Sequence, residues 1–510
     1  MTFTTYGGLA VLFVALFFWR RSKTAGSSLP LPPGPKPWPL LGNITDLKAK
    51  EFWLTAAEWA KVFGDVVYLH IFGQGIVFLN SPEAVAELME RRGAIYSDKP
   101  ALVMVSELCG AEHMVAFTRY GDEARRQRRL MSRALGVNNI KQYHPLIQTE
   151  TLQFLRRTLA DPDYVSNVKR YAGGMTLLVV YGLEVRSNND KYLVKSEYAT
   201  DLLANEICSG GGLWPVDIVP ALKHLPDWFP GAGFKRKAAM WKRVIEESVD
   251  MPYNALKDNI RAGTAVPSFC STLLEEDGKL ATELEEFDIK WTANSMYASS
   301  IDTTLTVVTH FLLAMIQNPE SMRKAQKELD SVVGTSRLPT FEDRPNLPFI
   351  EAIWAECLRW GCPVPLGLPH RLMEDDVFDG MFIPKGTLVF GNVWKMLRDP
   401  KLYPDPEKFY PERFLEKVDD VTARRRDPRN YAFGFGRRRC PGVHLIESSV
   451  WLLLATMLST LDISKAVDER GQTIEPEVVF DNSVFRIPNT LKLSITPRSE
   501  QARILVLHEA

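Results

Sequence analysis

Apolar positions along the chain fall into a few distinct rhythms. Residues 3–19 (FTTYGGLAVLFVALFFW) form a nearly unbroken apolar run without charge, followed at once by Arg20, Arg21 and Lys23. The 17 residues are at the short end of what crosses a bilayer. Charges placed after the run argue against a secretory signal and leave the rest of the chain on the cytosolic side. Prolines then crowd residues 29–39 (LPLPPGPKPWP), excluding helix and sheet and predicting a stiff polyproline II spacer. Residues 66–79 read as two short strands about Gly73-Gln74-Gly75, a hairpin. Helical periodicity dominates from there to about residue 330. The Gly- and Pro-rich stretch 209–233 interrupts it, and its Trp214, Trp228 and Phe229 suggest a membrane-dipping loop or a lid. Residues 287–317 predict one helix of about 45 Å. Ile446, Val450, Leu453, Leu454, Met457 and Leu461 mark another apolar helix near the C-terminus.

Composition narrows the class. The 510 residues are 45% apolar with a net charge of −1, enough for a large core and without any bias toward nucleic acid. Six cysteines are scattered with no CxxC pair, which argues for a reducing compartment and against a disulfide framework or a structural zinc site. No GxGxxG follows a strand, so no dinucleotide site is expected on this chain. The sequon Asn43-Ile44-Thr45 lies on the expected cytosolic side and should stay unmodified.

The chemistry concentrates at Phe433-Gly434-Phe435-Gly436-Arg437-Arg438-Arg439-Cys440-Pro441-Gly442. Cys440 precedes a proline and an apolar helix, so its thiol is expected near a helix N-terminus, where free amides favour a thiolate. Gly434 and Gly436 permit a tight turn whose amides would point at the sulfur, and Gly442 permits close approach of a flat ligand. Arg438 is placed to meet an anionic group of that ligand. A sheltered thiolate beside room for a planar cofactor is what axial ligation of haem iron requires.

The spacing Phe433-x-x-Gly436-x-Arg438-x-Cys440-x-Gly442 resembles the haem-binding signature of the cytochromes P450, the haem-thiolate monooxygenases. Three further motifs, in order, carry the same resemblance. Ala298-Ser299-Ser300-Ile301-Asp302-Thr303-Thr304 resembles the oxygen-activation helix. Glu356-Cys357-Leu358-Arg359 resembles the ExxR helix, and Pro411-Glu412-Arg413-Phe414 the PERF motif.

The resemblance implies a mainly α fold with small β-sheets. It also implies a transmembrane signal anchor (1–22), a proline-rich hinge (23–42) and a single catalytic domain (43–510). It implies haem b with Cys440 as axial ligand to iron. Phe433, Gly436, Arg438, Gly442, Arg128 and His370 would line that cofactor, with Arg371 the alternative to His370. Asp302 and Thr303 would relay protons, with Thr303 bonding back to the carbonyl of Ser299 and loosening the helix. Glu356, Arg359 and Arg413 would form a structural charge triad, and Val484 and Phe485 would reach the substrate pocket.

Two departures stand out: the family usually has tryptophan at Ala124 and glycine at Ser300. Electrons would come from NADPH through cytochrome P450 reductase, with cytochrome b5 a possible donor. The arginines at 424–426, 429 and 437–439 would form the docking patch. The substrate would be a small hydrophobic molecule of fungal secondary metabolism, a terpenoid first and an aromatic or indole compound second. The enzyme would sit in the endoplasmic reticulum membrane as a single-pass protein facing the cytosol. Two other readings stand beside it: a reductase-independent haem-thiolate isomerase or dehydratase, which shares the fold but typically departs from the acid-threonine pair that this chain keeps at Asp302-Thr303, and a non-catalytic haem-binding membrane protein.

Overall fold

The computed structural model describes residues 29–47, 51–208, 214–276, 278–480 and 484–508. The expected anchor at 1–22 lies outside them.

The expected hairpin forms as β1 (Val66–Ile71) and β2 (Gln74–Leu79), antiparallel, with Phe72 and Gly73 both at positive φ in the turn. Two strands from far along the chain complete the sheet, β3 (His370–Arg371) and β4 (Leu388–Gly391), in the order β1-β2-β4-β3. β2 and β4 run parallel, and β3 pairs antiparallel with β4. That pairing brings His370 beside the region around residue 98, where Arg371 N donates to Asp98 O at 2.8 Å. A second small sheet joins β5 (Leu461–Lys465) to β6 (Leu493–Pro497).

The bulk of the domain is helical. Its principal helices are α1 (Asp122–Leu135), α2 (His144–Ala160), α3 (Tyr164–Tyr181), α4 (Lys191–Asp201), α5 (Gly233–Arg261), α6 (Glu283–Ala298), α7 (Ile301–Gln317), α8 (Pro348–Gly361) and α9 (Val443–Thr460). α7 is buried along almost its whole length and packs on α3, α8 and α9. Tyr171, Phe311, Trp354 and Trp451 are among the large, fully buried side chains of this core. Among the described residues the α6–α7 run (Glu283–Gln317) and α9 are apolar enough to suggest membrane spans, but most of their surface faces protein, so they are core helices.

Three expectations are revised here. The run 287–317 is not one helix: it breaks at Ser299–Ser300 between α6 and α7. Ser299 Oγ donates to Ser295 O at 2.8 Å and Ser300 Oγ to Tyr297 O at 2.8 Å, offering the carbonyls partners other than the helix ladder. The proline-rich stretch is not a free spacer where it is described. Pro30 O accepts from Phe382 N at 2.7 Å and Pro33 O from Tyr68 N at 2.9 Å, so the segment is laid against the domain.

The stretch 209–233 is also more ordered than a single irregular loop. Its described part contains short helices at Pro215–Ile218 and Pro220–His224. Trp214 packs edge-on against Trp241 with ring centroids 5.6 Å apart, while Trp228 is 80% exposed.

Asn43 of the sequon is buried and fully engaged. Its amide donates to Pro35 O at 3.1 Å and Asp46 Oδ2 at 3.0 Å, and its Oδ1 accepts from His70 N at 3.1 Å.

Candidate active site

Cys440 stands at the amino-terminal side of α9, whose N-cap is Gly442. Its own amide donates to Phe433 O at 2.7 Å, folding the loop so that the sulfur lies under the helix end. Gly434 and Gly436 both have positive φ, as the turn requires. A Cβ at Gly436 would sit 2.2 Å from Met89 O, so any other residue there would displace the turn. The amide of Gly436 is directed at Glu90 Oε1 (2.8 Å) and not at the sulfur, contrary to expectation. The sulfur instead receives the Gly442 amide, and Gly442 approaches it closely enough that an added Cβ would lie 3.7 Å from Sγ.

Burial pushes the Cys440 thiol up, while the Gly442 amide, Arg128 and Arg439 pull it down. The amide at the helix end acts on the sulfur in the expected sense, toward the thiolate, against the opposing effect of burial. Cys109, Cys270, Cys357 and Cys362 are buried, and only Cys208 and Cys440 are partly open. Cys208 is pushed up to about 12, with no basic group offsetting its burial. Cys440 is the partly open thiol with cations around it.

A group of basic residues surrounds the cleft beside Cys440. Arg438 Nε donates to Ser97 O and its Nη2 to Thr118 O, both at 2.8 Å, while its Nη1 is buried with no partner. Arg128, on α1, donates to Arg439 O at 2.8 Å, bracing the cysteine loop. His370 Nδ1 lies 2.7 Å from Tyr96 O, which fixes the Nδ1–H tautomer. Burial, then Lys99 and Arg438, hold His370 well below the usual imidazole range.

Lys99, which belongs to no motif in the sequence, completes the group. It is buried, bonds to Pro369 O at 3.2 Å, and is pushed down to about 7 by burial, Arg438 and Arg128. The nearby carboxylate, Asp98, is already held by Arg119 Nε at 2.8 Å and the Tyr120 amide at 2.8 Å, and by the fallback candidate Arg371 at 3.4 Å. Where the family has tryptophan, Ala124 borders a cavity of about 220 Å³ lined also by Tyr120, Arg125, Arg128, Arg437 and Arg438.

These residues fit haem. Four basic side chains converge with too little negative charge among them, one guanidinium nitrogen is buried without an acceptor, and haem carries two propionates. Among the described residues no group of three or more His, Cys, Asp or Glu side chains is placed to hold a metal.

On α7, Thr303 Oγ1 donates to Ser299 O at 2.9 Å across the break. Asp302 points elsewhere, among Lys169 of α3 and Glu197 and Asp201 of α4, and burial pushes it up to about 6. Sequence neighbours on a helix diverge by about 100°. Asp302 and Thr303 thus address different sides of α7, and no direct hydrogen bond joins them among those described.

Below the loop, Glu356, Arg359 and Arg413 are all buried together. Arg359 donates to Glu356 through Nε at 2.7 Å and Nη2 at 2.8 Å, and Arg413 Nε reaches Glu356 Oε1 at 3.3 Å. The two arginines also collect the carbonyls of Leu397, Pro404, Pro406 and Lys408, clamping residues 397–413 onto α8. None of the three faces the cleft.

A cytochrome P450 family model matches residues 32–493. The chain belongs to the cytochrome P450 family. It is 39% identical to cytochrome P450 monooxygenase claT of Ampulloclitocybe clavipes over 500 residues, 98% of this chain and 96% of that one. It is 40% identical to cytochrome P450 monooxygenase 208 of Postia placenta, over 98% of this chain and 97% of the relative. Tryptamine 4-monooxygenase of Psilocybe cyanescens is 38% identical over 92% of this chain and 94% of its own. This cytochrome P450 is accordingly an oxidoreductase of the monooxygenase class with the helical fold of that family.

The arginines at 424–429 are less available than their sequence suggests. Arg425 pairs with Glu83, Arg426 with Glu416 at 2.8 Å, and Arg429 with Glu351, Asp427 and Glu447. Arg424 is exposed and makes no ion pair among the described residues.

Proposed function

We propose that this cytochrome P450 holds haem b through Cys440 and oxidises a small hydrophobic substrate with dioxygen and electrons delivered from NADPH by a reductase. The observation that carries this reading is the convergence of Arg438, Arg128, Lys99 and His370 on a cleft beside Cys440, with Arg438 Nη1 unpaired. Haem bound there supplies the oxygen-activating redox chemistry, with a thiolate ligand favouring O–O cleavage.

The chain's own residues do the rest. Arg438, Arg128 and Lys99 would neutralise the propionates, with His370 packed beside them, and together they would fix the ring plane. The Gly442 amide holds the sulfur. Thr303, bonded to Ser299 O, keeps its hydroxyl at the break, where it would hold a proton and pass it on. Asp302, pushed up to about 6, exchanges protons near neutral pH and would feed that hydroxyl through water from the α3–α4 side. Glu356, Arg359 and Arg413 hold the scaffold and take no part in proton movement.

A terpenoid or similar apolar metabolite is the first substrate reading, within fungal secondary metabolism. An aromatic or indole amine is the second, favoured by a relative named for tryptamine. The apolar run at 3–19 supports attachment to the endoplasmic reticulum membrane with the domain in the cytosol. Cytochrome P450 reductase, with cytochrome b5 as an accessory donor, is the partner this implies.

Reduced protein under carbon monoxide should show the red-shifted Soret absorption of a thiolate-ligated haem, and Cys440→Ala should abolish it. Retention of that absorption by the variant would refute the assignment. Product analysis after co-expression with a reductase, over terpenoid and indole panels, decides the substrate. Turnover without any reductase would favour an isomerase or dehydratase instead.

A further inference from the structure

Ala124 and Arg128 are four residues apart on α1 and stand one above the other on the same face. Tyr120 and Arg125 come from the start of that helix and the turn before it, and Arg437 and Arg438 from the cysteine loop opposite. Residue 124 is buried but carries only a methyl group, so these walls do not meet. The gap between them is the cavity of about 220 Å³, lined by four guanidiniums, one phenol and one methyl group, without a carboxylate.

The protein itself leaves these cations largely unbalanced. Arg125 pairs with Asp122 at 2.6 Å, but both side chains are mostly exposed, and such a pair is screened by water and salt. Arg437 makes no ion pair among the described residues; its Nη1 donates to the Tyr120 hydroxyl, toward which Arg125 is also directed. Asp98 is already committed to Arg119, the Tyr120 amide and Arg371. The guanidiniums of Arg125, Arg437 and Arg438 lie 5.7, 5.6 and 5.8 Å from the centre of the Tyr120 ring. The ring attracts each of them without cancelling their mutual repulsion. Because the Tyr120 oxygen accepts from its cationic neighbours, its own proton is left for a further acceptor.

The cavity has two unlike ends. Arg438 is drawn inward by Ser97 O and Thr118 O, and Arg128 is braced on Arg439 O. Those are the two arginines given to the haem propionates. Arg125 and Arg437 are exposed and stand with Tyr120 at the outer end. Haem answers the inner pair and leaves the outer one unmatched.

We propose that the outer end of this cavity is a binding site for a tetrahedral oxyanion of the phosphate class, held by Arg437, Arg125 and the Tyr120 hydroxyl. Guanidiniums grip phosphate and carboxylate oxygens in pairs. A carboxylate has only two oxygens and one charge, too few for two guanidiniums and a phenol together. Phosphate offers four oxygens and up to two charges, and it is small beside the cavity. A chloride ion has the charge without the directional acceptors. The site stands beside the haem reading and does not depend on it.

The test is calorimetric titration of the full-length holoenzyme in nanodiscs of neutral lipid with inorganic phosphate, at about pH 7.5 and at constant ionic strength set by sodium chloride. Two charge-assisted contacts correspond to a dissociation constant of roughly 1 mM. Saturable binding of about that strength is expected, with one phosphate per chain. Arg437→Gln, on an exposed side chain, should weaken it about tenfold or more. Ala124→Trp, which fills the cavity and leaves every arginine in place, should abolish it. Arg424→Gln, an exposed arginine outside the cavity, should bind as the wild type does. Nanodiscs containing phosphatidate separate the two sources of the same chemistry. If that lipid suppresses the phosphate heat in the wild type, the ligand is a headgroup, and if it does not, the ligand is free phosphate.

Absence of saturable binding to the wild type would overturn the site. So would equal affinities in the wild type, Ala124→Trp and Arg437→Gln, which would place the bound phosphate elsewhere on the surface. Should Ala124→Trp not fold, an Arg437→Gln affinity equal to the wild type is enough to reject it. The Soret absorption of each protein, recorded before titration, reports the haem separately, so loss of haem and loss of phosphate binding are told apart.

Discussion

Arg359 and Glu356 face each other through two hydrogen bonds of 2.7 and 2.8 Å, and neither side chain reaches solvent. Such a pair adds little over an apolar isostere but leaves an uncompensated buried charge when one partner is lost, at about 3–5 kcal/mol. Glu356→Gln and Arg359→Leu should therefore each abolish accumulation of haem-loaded protein, read as carbon monoxide difference absorbance per cell. Arg359→Lys should fail similarly, because an ammonium cannot make the two-pronged contact while also reaching Leu397 O and Pro406 O. Substantial holoprotein from any of the three would show that residues 397–413 are held by something else.

Lys99 and Arg438 should matter for holding the prosthetic group more than for folding. Arg438 lies beside Lys99 and helps push it down to about 7, so in the absence of an anion the pair is electrostatically unfavourable. Propionates reverse that balance. A lost charge-assisted bond is worth about 1.5–3 kcal/mol, so Lys99→Met and Arg438→Ala should each release haem about 10- to 100-fold faster to an excess of apomyoglobin. Lys99→Met should show no matching fall in the unfolding midpoint of the haem-stripped chain. Unchanged transfer rates would remove Lys99 from the cofactor site.

How far these residues could be found from the sequence depends on how far apart they lie along it. The cysteine loop is contiguous, so Phe433, Gly436, Arg438, Cys440 and Gly442 could be read together, and motif order placed Glu356, Arg359 and Arg413. Lys99 gave no such signal, because it meets Leu368 and Pro369 only through tertiary folding across about 270 positions. The break at Ser299–Ser300 was hidden for another reason. Apolar periodicity registers which face is buried but is blind to hydroxyls that bond back to Ser295 and Tyr297 carbonyls. The proline-rich stretch was read as a spacer because a polyproline segment has no internal hydrogen bonds. Its carbonyls are nevertheless free to accept from a sheet edge, and those of Pro30 and Pro33 accept from Phe382 and Tyr68.

Asp302 should trade stability for turnover. Burial raises its folded-state pKa to about 6 from an unfolded value near 3.8. The folded chain thus binds this proton more tightly than the unfolded chain, and stability falls as pH rises between those two values and stays lower above them. The full difference corresponds to about 3 kcal/mol at most, reduced by partial solvent access. Asp302→Asn should therefore raise the thermal midpoint at pH 7.5, with the gain vanishing below about pH 4, while product formation per NADPH drops. A variant less stable than the wild type at pH 7.5 would mean that the carboxylate is held by charge partners and not strained by burial.

Charge reversal among the arginines near the cysteine loop should separate docking from architecture. Arg426 is committed to Glu416 at 2.8 Å, and Arg429 is committed to three carboxylates, so reversing either places like charges against each other inside the protein. Arg424 is exposed and makes no ion pair among the described residues, so its reversal leaves the fold alone and changes only the field met by an approaching acidic reductase. Rim charges act mainly on association rate and salt dependence. Arg424→Glu should therefore raise the reductase concentration giving half-maximal turnover by about threefold to tenfold at low salt, with the difference shrinking as ionic strength rises and maximal turnover unchanged. Arg429→Glu should instead lower the yield of haem-loaded protein. If Arg424→Glu titrates with reductase as the wild type does at every salt concentration, the docking face lies elsewhere on the proximal surface.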